Sequence, residues 1–393
     1  MDGAKPTMVT DDTALRAVCE RLAGAGSFGM DMEFRREKTY LARLDLVQVA
    51  SVDEVALVDP HADVDLQPLL DLIADPRVEV IVHSGRQDLE IAYELGGVIP
   101  ANVFDTQIAG ALVGFGEQVP YDRLLSSLVG KQIGKLETTS DWSRRPLTER
   151  QVSYAVDDVR YLPELRRKLG EELESRGRTE WAAEEMASLH DAATYDRDGS
   201  ELWRSVSGSG RLKRRELAVL RELAIWREEL ARRRDLPRRW VLPDDVLLDI
   251  ARRAPERVED IETISRLPEK VLKREGAEIV ARVRQALDTP QDTWPKPASG
   301  REDPDVVAAA DLLDMFLRIR AAETGVAQTY LATRKDLLAA VRSVRKGSGE
   351  QPPLLRGWRR ELVGEDCVRI VQGEVSLRYD PDSGRVAVSR VGD

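Results

Sequence analysis

Between residues 27 and 113 the apolar positions along the chain change period several times. Leu41–Ser51 and Glu54–Asp59 alternate apolar and polar side chains as half-buried strands do, and the tight Val52-Asp53 connection predicts a hairpin. Ser27–Asp31 is a shorter run of the same character. Glu79–His83 (EVIVH) reads as a fully buried strand, and Asn102–Asp105 adds an edge. Helices are predicted over Asp12–Ala23, Leu66–Ala74, Arg86–Leu95, Thr106–Val113 and Tyr121–Val129. The sum is an α/β domain with a mixed sheet, antiparallel at its start and parallel later, and helices on both faces. Another helix opens at Thr148, where Thr148-Glu-Arg-Gln151 has the form of a capping box.

Beyond Gly170 the pattern changes. Glu171–Leu189 is helical and acidic, and the stretch to Gly210 reads as a connection with little core. Arg211–Arg234 is a long amphipathic helix with Leu217, Leu220, Leu223, Ala224 and Trp226 on its apolar side. Helices over Pro243–Arg253 and Glu269–Leu287 follow. Prolines at 290, 295, 297 and 304 mark a linker. The last segment predicts helices near Val306–Thr324 and Arg334–Val344, then strands at Cys367–Gln372 and Glu374–Tyr379.

At 393 residues the chain is too long for one ordinary core, so two or three domains are expected. No stretch approaches the ~18 unbroken apolar residues of a membrane span, and the first residues lack the charged-then-apolar pattern of a secretory signal. Cys19 and Cys367 are the two cysteines, far apart in the chain. They exclude a disulfide framework and a thiolate zinc site, and they fit a reducing cytoplasm. With His61, His83 and His190 alone for imidazole, any metal should be held by oxygen. The net charge of −11 argues against a polyanion partner, but its distribution matters more. Glu201–Trp240 carries twelve Lys/Arg against six Asp/Glu, and Arg334–Arg360 eight against two. Such a chain can hold a polyanion with one part and carry carboxylates in another. Solvated helix faces account for the same charges equally well.

The carboxylates supply the candidate chemistry. Asp31 and Glu33 leave the same face at the end of a predicted strand, where they repel each other unless a cation lies between them. An isolated Asp-x-Glu is most often a solvated strand end. Asp88 follows a buried strand across His83-Ser-Gly-Arg-Gln, in a strand-exit loop of the kind where sites gather. Alone it reads better as a helix-start aspartate favoured by the helix dipole, and His83 as a satisfied structural histidine. Tyr154 and Asp158 share one face of the capped helix, and Asp157 lies on that face too, so spacing does not choose between the aspartates.

Taken in order, Asp31-x-Glu33, Asp88 after a strand and Tyr154-x-x-x-Asp158 on a late helix resemble the DEDD exonucleases with a tyrosine, the ribonuclease D group. The surrounding blocks FGMDMEFRREKTYLARLDLVQVA, IVHSGRQDLE, FDTQIAGAL and DWSRRPLTERQVSYAVDDVRYL are similar to that family's. The likeness covers residues 25–170 and continues after 210, where LAVLRELAIWREELARRRDLPRRWVLPDDVLLDIARRAPERVEDI resembles the domain shared by helicases and ribonuclease D (HRDC). ATRKDLLAAV and LLRGWRREL resemble a second, more divergent such arm.

The resemblance implies a ribonuclease H-like exonuclease domain over 1–205, a helical HRDC domain over 206–290, a linker over 291–304 and a second HRDC-like domain over 305–393. It makes Asp158 the matching carboxylate. It implies that Asp31, Glu33, Asp88 and Asp158 hold two divalent cations, Mg²⁺ or Mn²⁺, and that Tyr154 orients the attacking water. The implied activity is 3′→5′ trimming of transfer RNA or other stable RNA precursors. The partners implied are RNA 3′ ends and a nucleoside monophosphate product, with no membrane, and the chain is expected to act as a monomer.

His83 is a candidate substrate contact. Arg232, Arg233, Arg234, Arg238 and Arg239, crowded at the end of the first HRDC helix, are candidate phosphate contacts, although cations favour a helix C-terminus in any protein. Residues 206–393 are expected to set RNA grip, so that a fragment ending near Ser200 keeps the chemistry. A DNA 3′→5′ exonuclease of the same superfamily and a non-catalytic RNA-holding module are the alternative readings. Contacts to the 2′-OH would separate RNA from DNA.

Overall fold

The computed structural model describes residues 5–134, 140–196, 199–297, 302–347, 351–382 and 385–390. In chain order the first elements are β1 Thr7–Val9, α1 Asp12–Ala25, β2 Ser27–Arg35, β3 Arg43–Ala50, β4 Val55–Val58, α2 Gln67–Ile73, β5 Glu79–Val82, α3 Arg86–Gly96, β6 Val103–Asp105 and α4 Thr106–Val113. Then come α5 Tyr121–Leu124, α6 Glu149–Arg160, α7 Leu162–Ser175 and α8 Thr179–Met186. Helices α9 Ala192–Tyr195, α10 Arg214–Arg234, α11 Arg238–Val241, α12 Asp244–Arg253, α13 Val258–Glu262 and α14 Glu269–Asp288 follow. The last are α15 Pro304–Thr324, α16 Gln328–Leu331, α17 Arg334–Lys346, α18 Gly357–Arg359, α19 Glu365–Gln372, β7 Val375–Asp380 and β8 Arg385–Arg390. No described helix is long and apolar enough to cross a membrane.

Contacts divide the chain into two compact units, Met1–Glu33 with Asp45–Asp191 and Glu302–Asp393, and Phe34–Leu44 with Ala192–Arg301. In the first unit six strands run in the order β1-β4-β3-β2-β5-β6. β3 pairs antiparallel with β4, as the hairpin pattern requires, while β5 runs parallel to both β2 and β6. The edge strand β1, parallel to β4, was not expected, because a three-residue strand is too short to show a period. The capping box at Thr148 is present, its side chain accepting from Gln151 N while the Gln151 side chain accepts from Thr148 N.

The close packing of α6 and α7 on the sheet depends on Gly29. A Cβ there would lie 2.7 Å from Leu162 Cβ and 3.1 Å from the Val159 carbonyl oxygen. The expected helix over Tyr121–Val129 is a short α-helical turn, α5, continued by π-helical residues Leu125–Val129.

The expected boundary near residue 305 is not a boundary in packing. Phe316, Leu317, Leu337, Val341, Leu354 and Trp358 share one apolar interior with Leu112, Leu165, Leu169 and Met186. Trp358 stacks on Trp181 with ring centroids 4.8 Å apart, Arg359 pairs with Glu185, and Arg178 donates to the Leu112 and Thr324 carbonyls. The strand expected over Cys367–Gln372 is helical instead. Cys367 and Ile370 fall three residues apart on the buried side of α19, and Gly373 ends the helix at φ 79°. The strand expected next is there as β7, paired antiparallel with β8.

The second unit has its own interior, built from α10 (Leu217, Leu220, Leu223, Trp226) against Leu247 and Ile250 of α12 and Ile279 and Val283 of α14. The loop at Tyr40 belongs to this unit. Asp235, at φ 48° just past α10, accepts from Tyr40 N and Leu41 N at 3.0 Å each. Residues 298–301 of the expected linker lie outside the described residues.

Candidate active site

β2 buries Met30 and Met32 and turns Asp31 and Glu33 to the opposite face, as period-two alternation dictates. Helix α6 brings Asp158 to them. Ligand oxygens of Asp31, Glu33 and Asp158 lie within 4.8 Å of one another. Asp157 is not in this group. It faces Arg160 at 3.5 Å instead, so the tertiary structure separates two aspartates that spacing could not. Asp88, buried in the first turn of α3, stands outside the three as well. Burial, then Asp31, Glu33 and Asp105, hold its carboxyl well above the usual range, which places it within electrostatic reach of the group.

Burial raises all three carboxyls, and repulsion from neighbouring carboxylates adds to it at Glu33 and Asp158. Asp31 is pushed up to about 6, Glu33 to about 8 and Asp158 to about 9. The Tyr154 hydroxyl donates to Asp158, and burial followed by the Asp158, Glu33 and Asp31 charges drives its own ionisation far upward. Asp158 Oδ2 is buried without a hydrogen-bond partner. A buried carboxylate oxygen left this way is costly unless a cation or donor satisfies it. The donor set is all oxygen and suits a hard divalent cation, so the residues fit the metal that the sequence pattern implies. A cavity of about 190 Å³ opens here, lined by Tyr154, Asp157, Asp158, Arg150 and the Ile133–Gly134 segment.

Several supporting residues were not singled out from the sequence. Asp105 accepts from Ser84 N and Gly85 N, both at 3.1 Å, and so holds the turn that delivers Asp88. That turn is tight: Ser84 sits at φ 58°, and a Cβ on Gly85 would fall 2.4 Å from the Val82 side chain. Arg145 clamps Asp59 through two bonds, at 2.6 and 2.7 Å, and donates to the Asp45 and Trp142 carbonyls. The Trp142 ring packs 5.8 Å from the Tyr154 ring. The Tyr121 hydroxyl is buried without a partner, its ionisation raised by burial and then by Asp158 and Asp31. Asp105, Trp142 and Arg145 all lie inside the blocks that carry the family resemblance, which was the available signal. Tyr121 had none.

His83 Nδ1 lies 2.9 Å from Thr106 Oγ1, and its ring is 5.4 Å from that of Tyr121. Burial lowers its pKa and favours the neutral ring. In the second unit, four of the five arginines already meet acids. Arg232 and Arg238 surround Glu228 and the Tyr40 hydroxyl, Arg234 pairs with Glu275, and Arg239 reaches Asp244 at 3.4 Å. Arg233 is exposed.

The chain matches the model of a 3′-5′ exonuclease family over residues 6–174 and that of the HRDC domain over residues 216–283. It is 39% identical to ribonuclease D of Nitrobacter hamburgensis over 96% of this chain and 98% of that one. It is 36% identical to ribonuclease D of Bartonella henselae over 94% and 91% respectively. Among solved structures it is similar to Escherichia coli RNase D, described as an exoribonuclease involved in structured RNA processing. That likeness has a TM-score of 0.82 and 29% identity over 94% of this chain and 99% of that one.

Proposed function

The chain belongs to the ribonuclease D family, and from that premise we propose that it trims the 3′ ends of transfer RNA and other stable RNA precursors in the cytoplasm, releasing nucleoside monophosphates. It is a 3′-5′ exoribonuclease, and the all-oxygen donor set of Asp31, Glu33 and Asp158 supports a metal-dependent one. The observation that carries the mechanism is the meeting of Asp31, Glu33 and Asp158 around the unpartnered Asp158 Oδ2.

These three carboxylates, with Asp88 beside them, are the proposed holders of two divalent cations, Mg²⁺ or Mn²⁺. Bound there, such ions neutralise the clustered charge, lower the pKa of water and stabilise charge on the leaving 3′ oxygen. Tyr154 stays protonated, so its hydroxyl orients the attacking water rather than abstracting a proton. Trp142 packs on Tyr154 and Arg145 ties that segment to Asp59, just past β4, which holds the phenol in place. His83 keeps the neutral ring that can meet a nucleotide without adding charge. In the HRDC unit Arg233 is the arginine best placed for RNA phosphate, since Arg232, Arg234, Arg238 and Arg239 must first exchange acidic partners.

The test incubates the purified chain with 3′-tailed RNA and matched DNA in Mg²⁺, Mn²⁺ or EDTA. Stepwise loss of 3′ nucleotides from RNA, abolished by EDTA, is the expected result. Undiminished cleavage in excess EDTA, or equal turnover of DNA, would overturn the reading.

A further inference from the structure

We propose that a second cavity in the catalytic unit, walled by Lys131, Arg160, Tyr161 and Arg167, binds a backbone phosphate of the RNA other than the one being cleaved. This rests on the exoribonuclease reading above. The cavity measures about 420 Å³, and its remaining walls are Val52, Pro163 and Glu164. Three cations therefore line it against one carboxylate, in a chain whose net charge is −11. The sequence hid this because the cations come from separate places along the chain, outside both basic stretches.

Tyr161 gathers two of them. Lys131 Nζ lies 6.0 Å and the Arg160 guanidinium carbon 5.7 Å from its ring centroid. Attraction to a ring face helps to place a cation. Arg160 also meets Asp157 at 3.5 Å, and Arg167 bonds Glu171 at the surface. An exposed pair of the latter kind is weak enough to give way to phosphate. With the ring engaged by cations, the cavity suits an oxyanion better than a stacked base.

Its position points to the RNA as the source of that phosphate. Both cavities share α6 and the segment Lys131–Gly134. Asp157, Asp158, Ile133 and Gly134 line the smaller one, while Arg160, Tyr161 and Lys131 line the larger. Three residues of helix rise only ~4.5 Å, so the cationic cavity continues the path past the carboxylates. A strand whose 3′ end sits at Asp158 presents further phosphates on that path.

The test measures affinity of the full chain for a single-stranded ten-nucleotide RNA in EDTA, across salt, for wild type, Lys131→Gln, Arg167→Gln and the double variant. Each lost phosphate contact on a single strand removes ~0.7 from the log–log salt slope, so the double variant should lose ~1.4 and bind about tenfold more weakly at 0.1 M salt. Lys131→Arg should keep the slope. In Mg²⁺, turnover at saturating RNA should stay within about twofold (below ~0.5 kcal/mol of barrier). A dinucleotide with a free 5′ hydroxyl, which offers the scissile phosphate alone, should be cleaved as by wild type.

Unchanged affinity and slope would overturn the proposal, as would equal losses on the dinucleotide. So would weaker inhibition by inorganic phosphate with RNA affinity intact, which would assign the cavity to the free ion. Failure of the underlying reading shows separately, as wild-type turnover by Asp31→Asn, and leaves the salt slope readable.

Discussion

At Tyr154 the ring and the hydroxyl have different partners, so one substitution separates them. The ring packs on Trp142 and the hydroxyl donates to Asp158. Tyr154→Phe should keep the packing and lower kcat by ~10²–10³, the usual cost of one positioned hydrogen-bonding group, with RNA affinity in EDTA unchanged. A fall of less than about threefold (below ~1 kcal/mol of barrier) would make the phenol structural.

Asp158 carries a pH signature in metal-free protein. Its folded pKa of about 9 exceeds the unfolded value of ~4. Below pH ~4 both states are protonated and the carboxyl costs nothing; as pH rises toward about 9 the unfolded chain ionises first and stability falls. Asp158→Asn removes that group from the balance. In EDTA its Tm should match wild type near pH 4 and exceed it increasingly toward pH 9, while its exonuclease activity is lost. A constant Tm difference across this range would refute the assigned burial. By the same sign, on the proposed ligand set Mn²⁺ would expel protons from Glu33 and Asp158, so calorimetric affinity should rise from pH 6 to 9.

At the scale of elements, the site depends on how closely α6 and α7 approach β2. Gly29 sits two residues before Asp31, and a methyl there must displace the Leu162 side chain or the Val159 carbonyl. Gly29→Ala is expected to destabilise by about 1–3 kcal/mol through overpacking, measured by denaturant unfolding. It should also weaken Mn²⁺ binding, because the junction that moves carries Asp158. Intact metal affinity in a destabilised variant would show that the helix yields elsewhere. The pattern of β2 foretold which face Asp31 and Glu33 share, since alternation is a local property. The approach of α6 to Gly29 was not legible, because a glycine needed for contact looks in sequence like one needed for a turn.

At the scale of the whole molecule, the last segment and the HRDC unit differ in what they need. Phe316, Leu317, Leu337 and Trp358 are buried among residues of the catalytic unit, so removing 302–393 uncovers a large apolar surface. A fragment ending near Ser200 or Arg301 should therefore lose its near-ultraviolet circular dichroism and aggregate. A soluble fragment with wild-type turnover on short RNA would contradict this. Residues 199–297 have a separate interior around Trp226 and Leu247, and by themselves should melt in one cooperative step. That comparison of melting curves distinguishes a domain that folds alone from one that completes another.

What the sequence alone determined was local or ordered along the chain: the strand and helix periods, the capping box at Thr148, the shared face of Asp31 and Glu33, and the serial order of motif blocks. Each depends on residues a few positions apart, or on a family likeness that linear order preserves. The tertiary structure decided the rest. It drew Asp158 to Asp31 and Glu33 while Asp157 met Arg160, left Asp88 outside the closest group, paired most HRDC arginines with acids, and joined residues 302–393 to the catalytic interior. The physical reason is common to all four. Charge pairing and burial are set by neighbours distant in sequence, and neither periodicity nor charge counting contains those neighbours.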